Sequence, residues 1–182
     1  MIEGHPVRAA DAPELSRFLT DVPLELHIAA QQGQTILIEG AHGFGASILY
    51  GEPTQTVDSD TTAQACCVRA GLGPTHVTDV LVVFPALAQD TPLGPDDKAS
   101  PDAGKPAAFN MALARQASIV NGATALALTG IDKLAPRAHG ALRRSHLPNE
   151  ARQLIDQLED AVGLPVALLS TGPAIEHVID LR

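Results

Sequence analysis

Tryptophan is absent, tyrosine occurs once and aromatic residues make up only 3% of the 182 residues. Binding by stacking bases on aromatic platforms is therefore excluded. Basic residues are scarce too: 12 Lys and Arg stand against 21 Asp and Glu, a formal charge of −9. Only Arg143 and Arg144 are neighbours. Nucleic-acid binding needs clustered cations that displace counterions from phosphates, so no DNA or RNA partner is expected. An anionic membrane surface is excluded on the same ground. The two cysteines, Cys66 and Cys67, are adjacent, which offers neither a disulfide framework nor a C-x-x-C metal pair. No apolar run approaches the ~20 residues that span a bilayer. The first residues, MIEGHPVRAADAPE, lack an apolar signal core. These features point to reduced thiols and a cytoplasmic location.

What is present is ordinary for a folded domain. Hydrophobic residues make up 45% and charged residues 18%, and a chain of this size buries roughly two-thirds of its unfolded surface. The core must come from Ala, Leu, Val and Ile. We expect one α/β domain over residues 1–182, with a proline-rich loop at 88–106.

The pattern alternates. Asp11, Pro13 and Glu14 start a helix carrying Leu15, Phe18, Leu19 and Val22, which Pro23 interrupts. LELHIAAQQ continues as a second helix. TILIEG (35–40) reads as a buried strand, 61–72 as a helix with Thr61 as cap, and DVLVVFP (79–85) as a second strand. Residues 107–120 predict a helix with Phe109, Ala112, Leu113, Ala117 and Val120 aligned. ATALALTG (123–130) is a third strand. Residues 149–162 predict a helix with Asn149 as cap and Leu154, Leu158 and Val162 on one face. PVALLSTG (165–172) is a fourth strand, and 173–180 a closing short helix. Continuous apolar strands alternating with amphipathic helices imply a mostly parallel sheet with helices on both faces. Ligands in such sheets bind at the carboxyl ends of strands.

Three strand-end loops could carry chemistry. EGAHGFGAS (39–47) has three glycines that would let backbone amides approach an anion. It matches neither a Walker A loop nor G-x-S-x-G, and a tight turn explains it equally. His42 is the only one of the seven histidines read into a strand-end loop, and no histidine spacing suggests a metal site. The second loop, Thr129-Gly130-Ile131-Asp132, ends a strand on a lone carboxylate. A carboxylate can accept two parallel hydrogen bonds, the pair that the N1–H and N2–H₂ edge of guanine offers and adenine does not. Read alone, Asp132 is first a helix cap and only second a base reader. Ser170-Thr171-Gly172-Pro173 likewise reads alone as an ordinary helix start.

Together the loops are more specific. ILIEGAHG, DTTAQACCVRAGLGPTHVTDVLVVF, ARQASIVNGATALALTGIDKL and GLPVALLSTGP…VIDLR resemble, in this order, segments of the adenylosuccinate synthetase family. The family joins aspartate to IMP using GTP and magnesium, on a P-loop-NTPase-like α/β fold. The resemblance implies that Gly130, Ile131 and Asp132, with Ser170, Thr171 and Gly172, hold the guanine of GTP. It implies that His42 and Val57 lie against the IMP nucleotide, where the family has a glutamine and a threonine. The family's guanine-loop lysine is Gly130 here.

Other family features have no counterpart in these residues. Nothing in 1–34 resembles the glycine-rich G-D-E-G-K-G phosphate loop. Where the arginine-rich T-T-G-R-R-R-R loop should stand, before residue 107, Lys105 is the sole base, and Asn110 matches a family acid. The expectation is a family-type purine nucleotide site in a chain that does not catalyse the reaction alone. The expected partners are a second copy in a homodimer, as the family resemblance implies, or a complementary subunit carrying the phosphate loop. The alternatives are a non-catalytic nucleotide-binding or regulatory subunit, and a ligase component with a changed substrate.

Overall fold

A computed structural model describes residues 7–53, 55–87 and 109–182. The expected proline-rich loop at 88–106 lies outside the described residues. The order of the longer elements is α1 (Pro13–Ser16), α2 (Val22–Gln31), α3 (Ala63–Ala70), β1 (Leu81–Pro85), α4 (Met111–Asn121), β2 (Ala125–Thr129), α5 (Ile131–Leu134), α6 (Asn149–Val162), β3 (Val166–Ser170) and β4 (Val178–Asp180). Among the described residues the strands form one sheet in the order β1-β2-β3-β4. β1, β2 and β3 run parallel and β4 is antiparallel to β3. A mostly parallel α/β sheet was the expectation, and the middle of the chain follows it closely.

The core lies on one face of this sheet. Leu126 and Leu128 of β2, Leu169 of β3 and Ile179 of β4 pack with Ile155 and Leu158 of α6, and all are buried. α6 presents Ala151, Leu154, Ile155 and Leu158, the i, i+3, i+4, i+7 spacing of one helical face. Glu159, on the last turn of α6, accepts a hydrogen bond from the Val166 backbone amide at 2.8 Å and so fixes the start of β3. Gly163 ends α6 in the left-handed conformation, which a residue with a Cβ adopts at a cost. α4 is capped by Asn110, whose Oδ1 accepts from the Leu113 amide.

The structure departs from the sequence reading in several places. TILIEG is not a strand: residues 35–40 have no sheet pairing, and Leu37 is 90% exposed. Strand propensity is expressed only against a partner strand, and β1 has one neighbour, β2, with its other edge unpaired among the described residues. On the face of β1 away from the core, Val83 is 54% exposed. Residues 173–180 are not a helix but a 3₁₀ turn, Ile175–His177, leading into β4. Val178 and Asp180 are exposed and Ile179 is buried, the two-residue alternation of an edge strand.

Pro23 does not interrupt a helix; it stands in the first turn of α2, where its missing N–H is harmless. Asp21 caps that helix. Thr62, not Thr61, caps α3, and Pro148, not Asn149, precedes α6. α4 buries Ala114, Ala117 and Ser118 and leaves Ala112 and Leu113 exposed, so its buried face is rotated from the one expected. No helix among the described residues is long and apolar enough to cross a membrane.

Candidate functional site

The Thr129–Asp132 loop is built by opposing demands at consecutive residues. β2 ends at Thr129, and Gly130 turns the chain at φ +68°. A non-glycine residue there would carry roughly 1–2 kcal/mol of left-handed strain. Ile131 is fully buried in the core and anchors the turn. Asp132 follows on the outer side, with its side chain 20% exposed. Its carboxylate does not cap α5. The role the loop suggested in isolation is therefore not the one it plays. The nearest cation-forming group is His139, whose Nδ1 lies 3.6 Å from Asp132 Oδ2, too long for a hydrogen bond.

The Ser170–Gly172 turn ends β3 beside it. Thr171 is fully buried and committed to the fold. Its hydroxyl lies within hydrogen-bonding distance of the Ala141 and His177 carbonyls, at 2.9 and 3.0 Å. Its amide donates to the His177 carbonyl and its own carbonyl accepts from Gly140. The Ser170 hydroxyl donates to the Gly172 carbonyl. These bonds stitch the segment after α5, the turn after β3 and the entry to β4 into one unit. Of the residues expected to hold a base, Ile131 and Thr171 are committed to the fold, and Asp132 has no hydrogen-bond partner for its side chain among the described residues.

Two residues at this place have no sequence signature. His139 and His177 meet at a ring-centroid distance of 5.0 Å and an angle of 71°, edge to face. A methyl group on Gly172 would fall 2.3 Å from His177 Nδ1 and 3.1 Å from His139 Cε1, so only glycine fits between the imidazoles. His177 Nδ1 is buried without a hydrogen-bond partner. Sequence reasoning placed the one strand-end histidine at His42. Residues 35–40 form no strand, and it is His139 and His177 that follow strands.

His42 and Val57 share a different neighbourhood. His42 is exposed, just before the 3₁₀ turn Phe44–Ala46. The Val57 amide donates to the Ala46 carbonyl, and Thr61 Oγ1 donates to the Gly43 carbonyl. Phe44 stacks on Tyr50. The cluster is clamped by Asp60, which accepts from the Ser47 hydroxyl, the Thr62 hydroxyl and the Thr62 amide at 2.8–3.1 Å. Burial pushes the Asp60 carboxyl up, but the hydrogen bonds from Thr62 and Ser47 outweigh it and hold it below the ordinary value. The Ala63 amide donates to Asn121 Oδ1 at 2.7 Å, which docks α3 on the end of α4.

A separate cleft of about 380 Å³ opens between Phe109, Met111 and Leu134 on one side and Glu150, Gln153 and Gln157 on the other. None of the expected site residues lines it. Among the described residues no group of three His, Cys, Asp or Glu could hold a metal ion.

Comparison with known proteins bears on this geometry. The family model described as adenylosuccinate synthetase matches residues 8–96. The adenylosuccinate synthetase of Archaeoglobus fulgidus is 39% identical over 192 aligned residues, covering 96% of this chain and 57% of the relative. The chain belongs to the adenylosuccinate synthetase family. The enzyme of that name from Thermococcus onnurineus is 37% identical with the same coverage. The chain thus spans a little over half the length of these curated adenylosuccinate synthetases. Among solved structures, the fully ligated adenylosuccinate synthetase of Plasmodium falciparum superposes with a TM-score of 0.79 at 14% identity, over 93% of this chain and 55% of that one. The succinoaminodeoxyadenylate synthetase of cyanophage S-2L, bound to dGMP and to dATP as an energy donor, superposes at 0.65 and 16% identity, over 95% of this chain and 54% of that one. The adenylosuccinate synthetase α/β fold therefore extends over nearly the whole of this chain.

Proposed function

We propose that the chain is the base-recognising part of an adenylosuccinate synthetase-type ligase of purine biosynthesis, acting in the cytoplasm. Gly130–Asp132 and Ser170–Gly172 bind the guanine of GTP. The observation that carries this reading is Asp132: a carboxylate beside the Ser170–Gly172 turn that does not cap α5 and, among the described residues, lies 3.6 Å from its nearest charged partner. A partly buried acid without a structural task is what a site for N–H donors requires. Magnesium would arrive with the nucleotide phosphates, because it usually binds through one or two carboxylates together with phosphate oxygens.

These 182 residues contain no counterpart of the family's G-D-E-G-K-G phosphate loop or of its T-T-G-R-R-R-R loop. Phosphoryl transfer relies on positioning and on charge stabilisation of phosphate oxygens, and losing a single such donor costs ~10²–10³ in rate. The chain therefore does not complete the ligation alone. Residues outside these 182 supply the phosphate contacts. A changed nucleotide substrate is the second reading. It is favoured by His42 and Val57, since Val57 offers no hydroxyl at a nucleotide-contacting position.

Calorimetric titration of the chain with GTP, ATP and IMP, with and without magnesium, tests both. ATP belongs in the set because the cyanophage protein takes dATP as its donor. Guanine-selective binding that weakens about 10- to 100-fold in Asp132→Asn is expected for charge-assisted bonds to the carboxylate. Equal affinity for GTP and ATP favours a changed donor, and silence with all three nucleotides removes the base site.

A further inference from the structure

Asp132 by itself reads two of the three polar groups on the guanine edge. A carboxylate accepts from N1–H and N2–H₂, but it cannot satisfy the 6-oxo group, which is an acceptor. A complete reader places a donor beside the two acceptor oxygens. We propose that His139 is that donor and so a specificity-determining residue of the site, taking 6-oxopurines and rejecting 6-aminopurines. The proposal rests on the base-site reading given above.

The geometry supports it in three ways. First, His139 Nδ1 and Asp132 Oδ2 lie 3.6 Å apart. At that distance they do not consume each other as partners, and the two atoms stand side by side as donor and acceptor. In its Nδ1-protonated tautomer the imidazole presents an N–H donor there. Second, His139 reaches both halves of the site: it faces Asp132 on one side, and its Cε1 lies 3.1 Å from where a Cβ on Gly172 would be. It remains 57% exposed, open to a ligand. Third, the ring has support. His177 meets it edge to face, and His177 is fixed through its carbonyl, which accepts from the Thr171 amide. His177 is a positioning residue in this arrangement. The nearby Lys133 lies along Gly130, its aliphatic carbons 3.5–4.0 Å from where a Cβ at 130 would be, and it is the competing donor.

The chemistry predicts an order. Guanine satisfies all three groups. Hypoxanthine keeps the 6-oxo and N1–H and loses N2–H₂. Adenine turns an amino donor toward His139 and a bare N1 toward the carboxylate, so both contacts become repulsive. Each lost hydrogen bond is worth up to about tenfold in affinity.

The test is calorimetric titration of the full chain with GTP, ITP and ATP, comparing the parent with His139→Phe, His139→Gln and Asp132→Asn. The parent is expected to bind GTP best, then ITP, then ATP. His139→Phe keeps the ring's bulk and loses the donor. It should weaken GTP and ITP about equally, by up to tenfold, and narrow the margin over ATP, while the GTP-to-ITP ratio is preserved. Asp132→Asn should collapse that ratio. His139→Gln restores an N–H donor and should recover part of the loss, which a purely packing role would not predict. A His139→Phe variant that binds and discriminates like the parent overturns the proposal and passes the role to Lys133. Absence of GTP binding by the parent overturns the base-site reading itself, and the proposal with it; the two failures are told apart by whether the parent binds.

Discussion

Residues 109–182 and residues 7–80 solve the problem of staying folded differently. The first region holds the sheet interior and both core helices. Leu126, Leu128, Ile155, Leu158, Leu169 and Ile179 have essentially left water. In the second region, Ala46 is the single buried hydrophobic residue among those described, while Phe18, Leu24, Ile28 and Leu37 are exposed. That region is held by directed polar contacts: the Asp21 and Thr62 caps, the Asp60 clamp and the Asn121 dock. The difference teaches that similar apolar content yields a core only where a second apolar face exists to receive it. Burial is worth roughly 25 cal/mol per Å², whereas a hydrogen bond nets about 1 kcal/mol, so the two regions should respond very differently to damage.

Three perturbations break or sharpen that contrast. The largest effect should come from Leu128→Ala in the middle of β2. Its side chain has no exposure, and truncation leaves a cavity worth about 2–5 kcal/mol of stability, read by urea denaturation. A loss below 1 kcal/mol would mean that the core is looser than its burial implies.

Acid should act next, and locally. The Asp60 carboxyl is held below its ordinary value of 3.8. A depressed carboxylate stabilises the fold above that ordinary value, and the stabilisation disappears as pH falls through the lowered one. Below about pH 4, amide-exchange protection between Ser47 and Thr62 should fall while β2 amides stay protected. Asp60→Asn should remove the pH dependence. Simultaneous loss in both regions would erase the distinction between them.

The smallest effect is expected for Phe18→Ser, on an exposed residue outside any core. Denaturation should shift by no more than about 0.5 kcal/mol, and a larger drop would show that the 7–80 region has a packed interior after all.

The sequence was most informative where one face is buried. β2, β3 and α6 were legible because a buried strand reads as a continuous apolar run and a packed helix as a 3.6-residue stripe. TILIEG has the same composition as a core strand and is not one, because composition cannot report whether a partner strand lies alongside. β4 was misread as a helix: three residues against a sheet edge carry too little periodicity to tell the two apart. In the candidate site, the Asp132 loop could be located from the glycine and the acid that end a strand. The pairing of His139 with His177 could not. They are far apart in sequence, and only the hydrogen bonds around Thr171 and Gly140 bring them together. Gly172 was recognisable as part of a motif, but its physical reason, the lack of room for any side chain between two imidazoles, appears only in three dimensions.

The position of Ile179 in the core has a consequence for biosynthesis. Chains emerge from the ribosome at about 5–20 residues per second, N-terminus first. The core cannot close until residue 179 is available, since β4 supplies one of its walls. Leu126, Leu128 and Ile155 are made earlier and stay uncovered by β4 until then. During synthesis the apolar residues of β2 and α6 therefore pass an aggregation-prone interval before the last wall of their core exists.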